Sequence, residues 1–197
     1  MNRFLAVLAS LLFTASPTFA KPRHVPAKTV HCGVERWSIK VGTDPDARQI
    51  DMSTVTDTTI HDLRQLTPPN DIKHFQGRAT GVEDQLWELD ATLTLFKTEA
   101  DGDFHLVLQD DNGKTMIAEI PNPVCVAASS PFHADVVAMR KGFTQHFNNR
   151  TAEKNLTEHI RITGVGFFDI PHSGAGQTGH APNNIELHPV IDLEFVP

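Results

Sequence analysis

From Gln85 onward, apolar and polar positions alternate with unusual regularity. Trp87, Leu89, Ala91, Leu93 and Leu95 interleave with Glu88, Asp90, Thr92 and Thr94, the signature of a long strand with one buried face. Asp101-Gly102 marks a turn, and Phe104, Leu106 and Leu108 then alternate with His105, Val107 and Gln109. Asn112-Gly113 is a strong hairpin signal, and residues 116–120 form the next expected strand, stopped by Pro121 and Pro123. A helix is expected next, with Ser130 as N-cap, Pro131 at its first position and Phe132, Val136, Met139, Phe143 and Phe147 along one side. Two further strands are expected at about 159–168 and 185–195.

The order strand-strand-strand-helix-strand-strand predicts a mainly β protein with helices, an OB-like five-stranded barrel over 85–197. An open α+β sheet is the alternative arrangement of the same elements. Residues 21–84 are expected to form an N-terminal strand-helix extension packed on the barrel. Its strand is expected at 36–41, with Trp37, Ile39 and Val41 on one face and Arg36, Ser38 and Lys40 on the other. After a turn at 43–46, a short helix is expected over 58–66, with Ile60, Leu63 and Leu66 at helical spacing and Thr59 with Asp62 as a capping box. Pro68 and Pro69 end it.

The first twenty residues change the picture from any soluble β protein to an exported one. Arg3, the apolar run from Phe4 to Phe13 and the small-residue site Thr18-Phe19-Ala20 read as a signal peptide over 1–20. That run is too short to span a bilayer, and no later stretch predicts a transmembrane segment. The expected location is therefore periplasmic or extracellular. In such an oxidising compartment the two cysteines, Cys32 and Cys125, predict a disulfide, and no CxxC redox motif is present. The formal charge of −7, with no run of Lys or Arg, gives no strong nucleic-acid signature.

The phrases DGDFHLVLQD, TMIAEIPNPVC, ITGVGFFD and APNNIELHPVIDLEF resemble those of a family of uncharacterised exported bacterial proteins. The resemblance runs from about Arg36 to the C-terminus and implies export and a β-rich fold, but no activity. In that family the loop usually reads HGQTG and APNGIELHPV. This chain has an insertion-like stretch from His172 to Gln177, and Asn184 where glycine is usual.

Strand parity supplies the candidate chemistry. With Phe104, Leu106 and Leu108 toward the core, His105 points away from it; the same reasoning turns Glu119, Glu186 and His188 outward. Neighbouring strands of an OB-like barrel would bring these four to one face, where two imidazoles and carboxylates suit a divalent metal. The opposing reading makes them solvated polar positions, or gives Glu186 and His188 a structural role in hydrogen bonding the loop backbone. Asp169 and His172 sit just past a strand end, where such a pair orients a general base, or else caps and braces the loop. Ser173 lacks a Gly-x-Ser-x-Gly elbow.

Three other motifs carry no chemistry. The letters of GxGxxG at 174–179 precede a proline and a strand, where a nucleotide fingerprint requires a following helix. The acidic turns at 101–103 and 110–113 lack the downstream bidentate Glu of a calcium loop. Asn155-Leu156-Thr157 is a formal glycosylation sequon of little weight in a bacterial-looking chain.

The sequence thus points to an exported OB-like binding or interaction module whose partner is an unidentified ligand or protein. The candidate binding residues are His105, Asp169, His172, Glu186 and His188. No cofactor motif is present. A divalent metal on His105, Glu119, Glu186 and His188 defines the alternative, a metal-dependent hydrolase, of which a nuclease is one form.

Overall fold

The computed structural model describes residues 30–171 and 178–197. The expected signal peptide, His172 and most of the glycine-rich loop lie outside the described residues. The protein is mainly β. Strands β1 (Val55–Asp57), β2 (Leu86–Thr98), β3 (Phe104–Gln109), β4 (Thr115–Ile120), β5 (Ala152–Phe168) and β6 (Ile185–Phe195) form one mixed sheet in the order β1-β2-β3-β4-β6-β5. A further β2–β5 pairing joins the far end back to β2, so five of the six strands make a ring and β1 adds to it as a parallel outrigger. Ring neighbours are antiparallel except β4 and β6, which run parallel.

Inward positions of the ring strands, among them Leu89, Leu93, Leu106, Leu108, Met116, Ala118, Ile162 and Leu187, are nearly or fully buried in one core. The alternation of β2 changes phase at a register shift between Leu93 and Leu95. Phe96 therefore takes the core position that a strict period of two assigns to Leu95, which is only half-buried. Helix α3 (His133–His146) closes one end of the ring. Phe143 packs against Phe96 and Phe104, both at 5.1 Å between ring centres, and Phe147 lies 4.5 Å from Phe96.

Some local expectations need correction. Residues 36–41 form no strand: Trp37–Lys40 is a single helical turn, α1. Four residues cannot distinguish a period of two from a period of 3.6, and two buried arginines decide the issue. Arg36, in the left-handed region at φ 47, sends both terminal nitrogens to Glu83 at 2.6 and 2.7 Å and also donates to the carbonyls of Phe168 and Gly77. Arg78 pairs with Asp44 at 2.6 Å and donates to the carbonyl of Ile39 inside α1. Helix α3 also starts later than expected: the Ser130 hydroxyl accepts from the Phe132 amide in the turn that precedes it. Strand β5 begins at Ala152 rather than near 159, because its polar first half still pairs with the far end of β2. The N-cap half of the capping box forms, with Thr59 accepting from the Asp62 amide at 3.1 Å, while Asp62 accepts from the Thr59 hydroxyl; helix α2 (Ile60–Leu63) is only four residues long.

Cys32 and Cys125 form the expected disulfide and tie the strap ahead of α1 to the turn after β4. It closes a loop spanning 93 residues. Replacing both cysteines with serine is expected to cost about 2–4 kcal/mol in urea denaturation, since the unlinked chain regains loop entropy when unfolded. An unchanged midpoint would show that the strap is held by its arginine contacts alone. Among the described residues, no helix is long and apolar enough to cross a membrane.

Candidate functional site

The outer face of β3, β4 and β6 is covered rather than solvated. Every residue from Phe104 to Leu108 is buried, as is every residue from Ile185 to Val190. Gly179 covers part of this face at φ +94, so close that a Cβ there would meet the Val107 side chain at 2.7 Å. The strap and α1 cover the part beside it. Glycine is required at such an approach because any side chain would lift the loop.

Beneath this cover the polar residues of the three strands meet. His105 and Glu119 are direct cross-strand partners, and His105 Nδ1 lies 3.0 Å from Glu119 Oε1. Glu186 stands on β6, whose parallel register places it beside Ile117 of β4. His188, two residues on, shares its face, with Nδ1 3.1 Å from Glu119 Oε2 and 3.5 Å from Glu186 Oε1. Neither contact has hydrogen-bond geometry, and both ring nitrogens of the fully buried His188 lack a hydrogen-bond partner.

The structure therefore brings all four of the metal candidates, His105, Glu119, Glu186 and His188, to one place, and Asp169 with them. The solvated reading of these positions is overturned. His105 is 4%, Glu186 2% and His188 1% exposed. Alternation only says that a side chain leaves the core; here the side it leaves for is a second interior.

Two further members were not singled out from the sequence. Lys40, at the end of α1, places Nζ 3.4 Å from Asp169 Oδ1, 3.5 Å from Glu186 Oε1 and 4.0 Å from Glu119 Oε2. Asp103, fully buried one residue before β3, lies with Oδ2 3.9 Å from His188 Nε2. Its position two residues before His105 puts it on the same side of the chain, a signal masked by its place in a hairpin-turn motif.

Electrostatics bind the cluster together. Burial opposes the charge of Lys40, yet Glu186, Glu119 and Asp169 raise its pKa above the ordinary lysine value. Burial likewise opposes ionisation of Glu119, but His105, His188 and Lys40 hold it well below the usual carboxylate range. Glu186 is pushed up, first by burial and then by Asp169 and Glu119, with Lys40 working against them. Burial disfavours the His188 cation, and Glu119 and Glu186 overcome it to set a pKa of about 9. Asp103 rises to about 6, chiefly through burial, against the pull of His188 and the Asn122 amide. Carboxylates with values pushed in opposite directions within one cluster are a mark of functional sites.

Lys40, Glu119 and Glu186 of the cluster form the floor of a cavity of about 560 Å³, with Asp103 and His188 behind them. The strap and Trp37 make one wall, the β2–β3 turn with Glu99 and Asp101 another, and His105, Asp169 and His180 border it from the sheet and the β5–β6 loop. Among the described residues, six carboxylates and two lysines line it. Asn184, in the β5–β6 loop, has φ 54, in the left-handed region where glycine and asparagine are the residues that fit.

No protein-family model matches the sequence, and no curated protein matches it. Among solved structures the chain is similar to one assigned as an aspartyl-tRNA synthetase from Leishmania major Friedlin, at 13% identity and a TM-score of 0.43, over 74% of this chain. The match spans 21% of that chain's length.

Proposed function

We propose that this is an exported binding module with an OB-like barrel whose ligand is a small organic cation held in the cavity under the N-terminal strap. The ring order, the single parallel contact between β4 and β6, and a helix between the third and fourth ring strands are the connectivity of an OB-type barrel. In that fold the outer face of the second and third strands, with the loops after the first and fourth, is the ligand surface. The cavity here lies on the corresponding elements: His105 of β3, Glu119 of β4, the 99–101 turn and the β5–β6 loop. The carrying observation is the sign of its lining, six carboxylates against two lysines among the described residues, with Trp37 offering an aromatic wall.

The same charge balance argues against an oligonucleotide or other polyanion. Phosphoryl chemistry would need arginines at the cluster. Arg150 is instead tied to Glu153 and Arg161 to Asp90, both on the outer surface, while Arg140 donates to the carbonyls of Ile120 and Gly102. Export follows from the expected signal sequence and accords with the disulfide.

The test is calorimetric titration of the mature protein with spermidine and agmatine, with succinate as the anionic counterpart. Binding of a cation is expected, weakened about tenfold by Trp37→Ala, in line with a desolvated cation–π contact, and weakened further by salt. Equal binding of succinate, or no cation binding at millimolar concentration, would overturn the proposal.

A further inference from the structure

Behind the cavity floor, Asp103, Glu119 and His188 each offer one donor atom, and the three atoms lie within 4.8 Å of one another. Ligands bound at 2.0–2.2 Å to a tetrahedral ion stand about 3.3–3.6 Å apart, so only a small contraction separates this arrangement from a coordination shell. The way each carboxylate is held points the same way. Asp103 Oδ1 accepts from the Asn122 amide at 2.7 Å, while Oδ2 is buried with no hydrogen-bond partner. Glu119 Oε1 is fixed by His105 at 3.0 Å, which leaves Oε2 facing His188. His188 presents two fully buried nitrogens without hydrogen-bond partners. One oxygen anchored by the protein and the other directed inward is how outer groups orient metal ligands. Buried polar atoms without hydrogen-bond partners are costly and call for an occupant.

From this geometry we infer a binding site for a divalent first-row transition ion, formed by Asp103, Glu119 and His188. One imidazole with two carboxylates suits zinc or manganese. Calcium takes six to eight oxygen ligands and magnesium keeps near-octahedral water, neither of which this donor set provides. His105 orients Glu119 and does not coordinate, and Glu186 is paired with Lys40. The ligand set thus differs from the one expected from strand parity, with Asp103 replacing both. The cavity-facing Glu119 is the route by which the ion reaches the two buried ligands.

This inference shares only Glu119 with the organic-cation reading, because Asp103 and His188 do not line the cavity. The experiment is equilibrium dialysis of chelator-treated, disulfide-intact protein against Zn²⁺ and Mn²⁺, with metal content read by mass spectrometry. One tightly held ion per chain is expected. Asp103→Asn, nearly isosteric, and Glu119→Gln should each weaken it at least tenfold while the circular dichroism spectrum is retained. X-ray absorption of the zinc form should show one imidazole and oxygen ligands, a readout that survives even if a variant fails to fold. Three results would overturn the site: no retained ion, retention unchanged in Asp103→Asn, or a shell with several imidazoles, which would place the ion on surface histidines. Spermidine binding that persists in Asp103→Asn while metal is lost, or the reverse in Trp37→Ala, separates the failure of one proposal from that of the other.

Discussion

Glu83→Ala is expected to remove about 3–5 kcal/mol of folding stability, the scale for deleting one partner of a buried ion pair. Glu83 is fully buried and accepts four bonds from the protein: two from Arg36 and one each from the amides of Ala79 and Phe168. Its removal strands the Arg36 guanidinium, whose side chain is only 5% exposed and lies over the Phe167 ring at 4.8 Å. It also leaves two buried amides without acceptors. Urea denaturation with linear extrapolation measures the loss. The double variant Arg36→Met, Glu83→Gln should recover part of it, since it removes the stranded charge and keeps an acceptor for one of the two amides. A loss below about 1 kcal/mol, the range of an exposed pair, would show that the clamp does not hold the strap.

Lys40→Met is expected to be nearly as severe, at about 3–5 kcal/mol, for the opposite electrostatic reason. Methionine conserves the apolar length of the side chain but withdraws the ammonium shared by Glu119, Asp169 and Glu186. Three carboxylates then face one another under cover, and like charges so close cannot all remain ionised. A second substitution separates this cause from lost packing. If repulsion dominates, Glu186→Gln in the Lys40→Met background should restore about 0.5–3 kcal/mol, the range of coupling between contacting groups. Strict additivity of the two changes would sink the electrostatic account. The two variants act on consecutive links of one chain of cause: the Arg36–Glu83 clamp sets α1, and α1 delivers Lys40 to the cluster.

This dependence explains why half of the site could be read from the sequence. His105, Glu119, Glu186 and His188 stand on regular strands, where a period of two fixes the side of each residue once the core side is known. Their convergence followed from parity and strand order. Lys40 ends and Arg36 precedes a turn of four helical residues, too short to carry a period, and their roles depend on partners tens of residues away. Asp103 reads as a turn residue because Asp-Gly-Asp suits a turn, and local chemistry holds nothing about what lies across the sheet. The lengthening of β5 was hidden likewise. Its first half carries Leu156 as its one large apolar residue, and its pairing with β2 shows only in three dimensions.

Alternation, turn residues and the run of aromatic residues on α3 are local quantities, and by themselves they determined a mainly β chain, the succession of its strands and helix along the sequence and the parity of its polar side chains. The cysteine count likewise determined the single possible disulfide. Whether those outward side chains met water or each other was not local. Tertiary structure decided it by folding the strap, α1 and Gly179 over the sheet, which turned a polar surface into a second, charged interior. The physical reason is that burial of a charge depends on what packs above it, and that cover comes from segments remote in sequence, held by Arg36, Arg78 and the disulfide.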